Sequence, residues 1–506
     1  MANLLEHPRA ALFRAPGQEA EIARQAQPSW AELPLAARLR VLRKLRHRIS
    51  ARASELAAAA GAGRHRPRAE VLSAEVLPLA DACRFLEREA PRLLAPRRLG
   101  RSGRPSWLGR VTSEVRREPL GLVLILAPSN YPLFLPGVQT LQALAAGNAV
   151  LWKPSPGGGQ AARALVGLLT EAGLDERLVR VLPAGDDSGR AAIAAGPDRV
   201  LLTGSASTGR AVLRDLADRL IPATLELSGC DALFVLPGAD LGRVARAVRF
   251  GLALNGGATC IAPRRLFVPR EMAGNLEGLL ATALADLPPV RIEEESAARI
   301  RSLVRGALAR GSRLLGGNPD SFGDSEAFRP LVVLDAAPDL PLLREDLFAP
   351  VLAVVPVASA EEALDFAARC PYALGASVFG PEKAARVMAA RVRAGVVTVN
   401  DLIVPTADPR LPFGGRGESG FGVTRGAEGL LELTNVKTVA VRRGRWLPHL
   451  ETPAEGDGEI LQGLLNLGHA ARWRDRLAAA ASLVRAARRA RSDRACSIHP
   501  SREEKP

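Results

Sequence analysis

A cysteine, a glutamate and an asparagine, far apart in the chain, have the types and settings needed for chemistry on a carbonyl. Cys260 stands in "NGGATCIAPRR", residues 255–265, among small residues with Pro263 and two arginines behind it. A thiol attacks as its thiolate, so it needs a base or an electropositive setting. The competing reading is a packed, inert thiol, because free Cys is among the most buried residue types. The six histidines, at 7, 47, 65, 449, 469 and 499, all lie outside residues 66–448, which disfavours a Cys-His pair and leaves Glu226 as the leading base. Glu226 sits in the apolar run "ATLELSG". A carboxyl buried there has a raised pKa and suits proton transfer near neutrality, though a salt-bridged core glutamate fits the same pattern. Asn130, in "LAPSNYP", lies between Pro128 and Pro132. Two rings stiffen that loop and fix an amide able to donate to a developing oxyanion, while the bland account is an ordinary turn residue.

A second set has the pattern of an anion cradle. In "LLTGSASTGR" a strand ends at Gly204, Ser205 follows, and Gly209 opens a helix. Backbone N–H groups at such a helix start can meet a pyrophosphate, but the spacing is GxxxxG, and a glycine at a strand-helix turn often serves backbone geometry alone. Lys153, in "AVLWKPSP", is one of five lysines in an arginine-rich chain and closes an apolar strand. Ligands of α/β sheets bind at strand carboxyl ends, where an ammonium can hold ribose hydroxyls or phosphate; a snorkelling surface lysine is the alternative.

These residues need elements to hold them. Residues 29–60 and 79–94 carry apolar positions at helical spacing. "TSEVRREPLGLVLILAPS" then changes period, from an alternating stretch into a solid apolar run, the mark of a buried strand. From there "AVLWKPS", "LVRVLPA", "RVLLTGS" and "ATLELSG" alternate with helical stretches, including 160–172 and 208–220. A second set runs through "ALFVLPG", "RRLFVPR", "PLVVLD", "VLAVVPV", "ASVFG" and "GVVTVN". The fold class is α/β, with two tandem units built on parallel sheets. "KTVAVRRGR" alternates in charge and is a candidate to pair with "VTSEVRRE" as an edge sheet.

At 506 residues the chain is long enough for two or three domains, and 47% hydrophobic with 24% charged residues is ordinary globular usage. No apolar run reaches membrane-spanning length and the N-terminus lacks a secretory pattern, so a cytoplasmic location is expected. Five scattered cysteines (83, 230, 260, 370, 496) without a CxxC read as reduced thiols, with no metal framework. The net charge of +15 raises nucleic acid as a partner, but the arginines are spread along the chain without interleaved aromatics, so no specific nucleic-acid binding is expected.

Taken in order, "PSNYP", "WKPSP", "TGSASTG", "LELSGC", "GGATCIAPRR", "EDLFAPVL", "YALGASVF", "VND" and "LPFGGRGESGFG" resemble the aldehyde dehydrogenase superfamily over residues 30–443, in wording closest to the class 3, fatty and aromatic aldehyde branch. The resemblance implies a Rossmann-like NAD(P)-binding domain (1–106 and 120–226), a catalytic α/β domain (227–431), a small bridging and oligomerisation sheet (107–119 and 432–445) and a helical basic tail (446–506). It implies a homodimer or homotetramer, NAD or NADP as cofactor and an aldehyde as substrate. Carried onto matching positions, Cys260 is the nucleophile that forms a thiohemiacetal and then a thioester, Asn130 the oxyanion donor, and Glu226 the base that activates water. Lys153 matches the ribose-binding lysine, Ser205 within Gly204–Gly209 the pyrophosphate contact, Asp346 the acid for the nicotinamide ribose, and Phe348 the aromatic residue beside it.

The chain also departs from that pattern. Pro156 stands where an acid often binds the adenosine ribose, so rejection of a 2′-phosphate is absent there; Asp346 replaces a glutamate, with Glu345 as a substitute; Ser228 and Cys230 replace Gly and Lys; Ser129 replaces a tryptophan. Two rival readings stand beside aldehyde oxidation. A CoA-acylating relative is opposed by Glu226, which that branch generally lacks, and a silent scaffold or basic nucleic-acid-binding protein is opposed by Cys260, Asn130 and Lys153. The tail helix, with a mostly alanine apolar face, reads as a solvated oligomer-edge helix ahead of a membrane-surface helix.

Overall fold

In the computed structural model, which describes residues 14–64, 66–315, 327–443, 447–450, 452 and 456–496, the apolar run Leu122–Leu126 is an interior strand with every side chain buried. A strand covered on both faces has no place for polar side chains, hence the solid apolar block. It belongs to a six-stranded sheet in the order Gly420–Phe421, Ala223–Leu227, Arg199–Gly204, Leu122–Leu126, Ala149–Lys153, Val179–Val181. All neighbours run parallel except the short Gly420–Phe421, which is antiparallel to Ala223–Leu227. The chain moves from Leu122–Leu126 outward on one side and later returns to build the other side. Strand order therefore reverses between Leu122–Leu126 and Arg199–Gly204, and ligands of such sheets bind beyond the carboxyl ends at that reversal.

The helix Phe134–Ala146 is buried along its whole length. Its end is set by Gly147, whose φ of +96° ends the helix in the left-handed region without a Cβ penalty. Asn148 then accepts from the N–H groups of Leu120 (2.7 Å) and Gly121 (3.0 Å), tying the helix exit to the strand entry. Helix Ala206–Ala217 starts two residues before the sequence pattern predicts, because Ser205 caps it and accepts from the N–H of Thr208 at 3.2 Å.

The second sheet has seven strands, in the order Arg313–Leu314, Leu331–Leu334, Val351–Val357, Pro263–Pro269, Asp231–Val235, Gly375–Phe379, Val396–Val399. It is parallel apart from the first pair. Phe234 and Phe267 stack on one face with ring centres 5.3 Å apart. The two tandem units expected from alternating patterns are thus two parallel sheets, each with its own apolar core. Leu430, from the segment that the resemblance assigns to the catalytic domain, and Leu433, from the one it assigns to the bridging sheet, both pack into the core of the first.

Only Ser228, Gly229 and Cys230 separate Leu227, the end of one sheet's strand, from Asp231, the start of the other's. The carboxyl end of the first sheet therefore meets the amino end of the second. Asp231 pairs with Pro263, so Cys260, three residues before Pro263, lies at this junction.

Chain contacts group both sheets into one compact unit, residues 1–95 with 117–436, and residues 96–116 with 437–506 into another. Strands Val111–Pro119 and Thr434–Arg442, which the sequence pairs, are neighbours, and Arg97–Leu99 adds a third strand with Arg97 opposite Val115. Helices Asp457–His469 and Trp473–Cys496 pack together, with Gly463 leaving room for the side chain of Leu483. Leu461, Leu465, Trp473, Leu477 and Val484 of that pair are exposed. No helix among the described residues is long and apolar enough to cross a membrane.

Candidate active site

The thiol loop is shaped by three consecutive left-handed residues, Asn255 (φ +51°), Gly256 (+61°) and Gly257 (+75°). A Cβ on Gly257 would stand 2.6 Å from the backbone of Pro350, so that position has no room for a side chain. Asn255 holds the turn by donating from Nδ2 to the carbonyls of Asn130 (2.9 Å) and Ala258 (3.3 Å). Asn130, buried in the loop that follows the first sheet's strand Leu122–Leu126, donates from its own Nδ2 to the same Ala258 carbonyl at 3.1 Å. Its Oδ1 accepts the N–H of Tyr131 at 3.1 Å, which fixes the amide orientation and leaves the second Nδ2 proton for another acceptor. The Tyr131 hydroxyl meets Thr259 Oγ1 at 2.7 Å, one residue from the thiol.

Behind this pair of loops stands a cluster that the sequence does not reveal. Arg66 pairs with Glu70 (2.7 Å) and Glu75, and donates to the Asn130 carbonyl at 3.3 Å. Glu70 accepts the Asn255 N–H at 3.2 Å, and Glu75 accepts the N–H groups of Leu133 (2.8 Å) and Phe134 (3.2 Å). One buried arginine and two carboxylates thereby register the Asn130 loop against the Cys260 loop. Burial pushes the Glu75 carboxyl up, against the opposing pull of Arg66.

Glu226, in the strand adjoining this junction, is 2% exposed. Its Oε2 accepts from Thr424 Oγ1 at 2.8 Å, and its Oε1 is buried without a protein partner. Desolvation raises the carboxyl above the usual carboxylate range, countered in part by the Arg425 guanidinium and the Thr424 hydroxyl. Burial likewise pushes the Cys260 thiol up, and the charges of Glu226, Asp231 and Asp346 add to this while Arg425 opposes it. The thiol, the carboxylate and the amide loop thus share one neighbourhood, walled by Ile261, Leu374 and Phe413. Gly229 lies against it: a Cβ there would fall 2.8 Å from the Cys260 carbonyl.

At the cradle, Gly204 ends its strand and Ser205 caps the next helix, its hydroxyl also near those of Ser207 (2.8 Å) and Thr208 (2.9 Å). What this turn offers an anion is the start of a helix. Gly209 faces the sheet, where a Cβ would be 2.7 Å from Leu227, so its smallness serves close helix-strand packing. Lys153 lies at the carboxyl end of its strand, its ammonium lowered by burial and supported by Asp186 at 3.7 Å. Asp346 accepts the Phe348 N–H at 3.0 Å, bonds to Ser228 and faces Arg264 at 4.0 Å, while Glu345 is engaged by Arg299 at 2.6 Å. Phe348 has φ +47°, a strained conformation for a bulky residue of the kind that gathers at functional sites. Cys83, Cys230, Cys260 and Cys370 are free thiols, and the Cys496 side chain lies outside the described residues.

The Aldehyde dehydrogenase family model matches residues 17–439. The 4,4'-diapolycopene aldehyde oxidase of a Methylomonas species is 31% identical over 449 residues, covering 85% of this chain and 84% of that protein. A putative succinate-semialdehyde dehydrogenase (NADP(+)) of Mycolicibacterium smegmatis is 31% identical over 457 residues, covering 87% and 86%. Among solved structures, the NADP complex of an NADP-dependent glyceraldehyde-3-phosphate dehydrogenase from Bacillus halodurans superposes with a TM-score of 0.77 at 28% identity, covering 84% of this chain and 91% of that one. A Mycobacterium tuberculosis aldehyde dehydrogenase complexed with NAD+ gives 0.78 at 26% identity, covering 86% and 92%.

Proposed function

The chain belongs to the aldehyde dehydrogenase family of oxidoreductases, which use NAD or NADP, and on that premise we propose that Cys260, Asn130 and Glu226 oxidise an aldehyde to a carboxylic acid through a covalent thioester. The observation that carries this reading is the buried Glu226 carboxylate, one oxygen held by Thr424 and the other without a partner, in the same neighbourhood as the Cys260 thiol.

Cys260 Sγ gives its proton to solvent water and attacks the aldehyde carbon as the thiolate. The carbonyl oxygen becomes an oxyanion, which accepts hydrogen bonds from the spare Nδ2–H of Asn130 and from the Cys260 backbone N–H. Donors held in place before reaction contribute without reorganising, and the Arg66, Glu70 and Asn255 bonds supply that rigidity here. A nicotinamide nucleotide, when bound, would supply the hydride acceptor needed for oxidation of the thiohemiacetal to a thioester. Glu226 Oε1 then takes a proton from water as the water attacks the thioester carbon, and Cys260 leaves as thiolate. A desolvated carboxylate suits that step, because its raised pKa lies nearer the working pH than that of an exposed glutamate.

The residues present fit the cofactor. The cradle of Gly204, Ser205 and the helix start lies at the reversal of strand order, with Lys153 at a neighbouring strand end. Lys153 would hold the adenosine ribose, the helix start the pyrophosphate, and Asp346 with Phe348 the nicotinamide ribose. Ile261, Leu374 and Phe413 around the thiol suit an aldehyde with an apolar body. The exposed strand Thr434–Arg442 supports assembly into a homodimer or homotetramer by sheet extension.

A panel of aliphatic, aromatic and carboxyl-bearing aldehydes, followed by reduced-nucleotide absorbance with NAD and with NADP, tests the reading. Oxidation without CoA that is abolished in Cys260→Ala is the expected result. Strict dependence on CoA, or full activity in Cys260→Ala, would overturn it.

A further inference from the structure

The thiol, the acid and the amide leave Arg425 without a part in the reaction, yet its placement is costly. The side chain is buried, its Nη1 donates to the Thr406 carbonyl at 2.7 Å, and its Nε has no partner. The guanidinium carbon lies 4.2 Å from the Phe413 ring centre and 5.6 Å from that of Phe134. A guanidinium does not give up its proton in a protein, so a desolvated one needs counter-charge or aromatic faces around it.

The charged groups that face it are Glu226 and Cys260. The acids next to the thiol have engagements of their own: Asp231 accepts the Gly375 N–H at 3.1 Å, and Asp346 is held by Phe348, Ser228 and Arg264. The geometry couples Arg425 to the pair through its neighbours. Thr424, the preceding residue, holds Glu226 Oε2 at 2.8 Å, and Phe413, beneath the guanidinium, shares an apolar cluster with Cys260. Arg425 itself has φ +61°, a conformation that turns the chain sharply between the residue bonded to Glu226 and the helix Gly426–Glu432.

Resting on the assignment of Cys260 and Glu226, we infer that Arg425 is a positioning residue that acts through charge: it is the buried counter-charge that lets a thiolate and a carboxylate coexist in one water-poor space. Around Cys260, the charges of Glu226, Asp231 and Asp346 disfavour the thiolate, while Arg425 and Arg264 favour it, Arg264 being already paired with Asp346 and bonded to the Ala349 and Gly257 carbonyls. Around Glu226 they are Arg425 and the Thr424 hydroxyl, both of which favour the carboxylate. Removing the guanidinium therefore makes both groups harder to ionise, in the same direction.

The test is the rate at which iodoacetamide alkylates Cys260, read by mass at pH 7 without nucleotide, together with the pH profile of kcat. Arg425→Met is expected to slow alkylation about tenfold or more and to move the acid limb of kcat up by about one unit, whereas Arg425→Lys keeps both near the parent values. Alkylation and acid limb unchanged in the Met variant would overturn the inference. So would a Lys variant displaced as far as the Met variant, since shape alone would then account for the effect. Should the Met variant fail to fold, the Lys variant decides, with a parent-like rate supporting the charge role and a tenfold loss overturning it. Cys260→Ala in the same assay separates the two levels. If it is inactive while the Arg425 variants are unchanged, this inference alone fails; if it is active, the parent reading fails as well.

Discussion

Glu226→Gln separates the two halves of the proposed reaction. The glutamine amide has nearly the shape of the carboxyl and can keep the bond to Thr424 Oγ1, so the strand and its neighbours should be undisturbed. What disappears is the proton acceptor at Oε1, which has no other partner to be orphaned. General bases contribute about 10²–10⁴-fold, so steady-state turnover should fall by about that factor, equivalent to about 3–5 kcal/mol of barrier. Acylation does not need this base, and the thiol loses a neighbouring negative charge that disfavours its ionisation. A stopped-flow trace should therefore show a burst near about one equivalent of reduced nucleotide per chain, followed by a slow phase. The variant also has a stability signature. The folded carboxyl is raised above its unfolded value, so its favourable contribution is complete below the unfolded pKa and is lost as pH rises through the folded pKa. Glutamine has no charge to desolvate, and the variant should gain in melting temperature over the parent with rising pH from mildly acid conditions upward. Unimpaired turnover, or slow turnover without a burst, would refute the assigned base.

Asn130→Ala should lower kcat by about 10²–10³-fold with little change in nucleotide affinity, checked by steady-state kinetics and nucleotide titration. Gly229→Ala places a Cβ 2.4 Å from Asp231 and 2.8 Å from the Cys260 carbonyl, and should cost about 1–3 kcal/mol in denaturant unfolding as well as turnover. Asp186 is the carboxylate in ion-pair range of Lys153, so Asp186→Asn should tighten NADP relative to NAD by about fivefold, measured as dissociation constants by intrinsic fluorescence.

The architecture was readable because buried parallel strands leave solid apolar runs. Leu122–Leu126 and Val351–Val357 announce themselves in this way, and the helix between two such runs follows from spacing. Arg97–Leu99 was not readable: three residues with two arginines show no alternation, and only the partner strand defines them. The roles proposed for Cys260, Asn130 and Glu226 rest on motif order, since each residue alone fits a bland account. Arg66 was illegible because its bonds to Asn130 and, through Glu70, to Asn255 span long stretches of chain that only folding brings together. Arg425 gave no signal among so many arginines, although its position two residues after Gly-Val, beside the threonine that holds Glu226, is the place where a buried cation matters most.

The three-residue link Ser228–Gly229–Cys230 bears on how such proteins can be recombined. With no slack there, a chimera that takes its nucleotide half from one relative and its thiol half from another inherits whatever offset the parents have between acid and sulfur. Swaps at this crossover should succeed between parents whose junctions superpose closely, and should give folded but inert hybrids elsewhere.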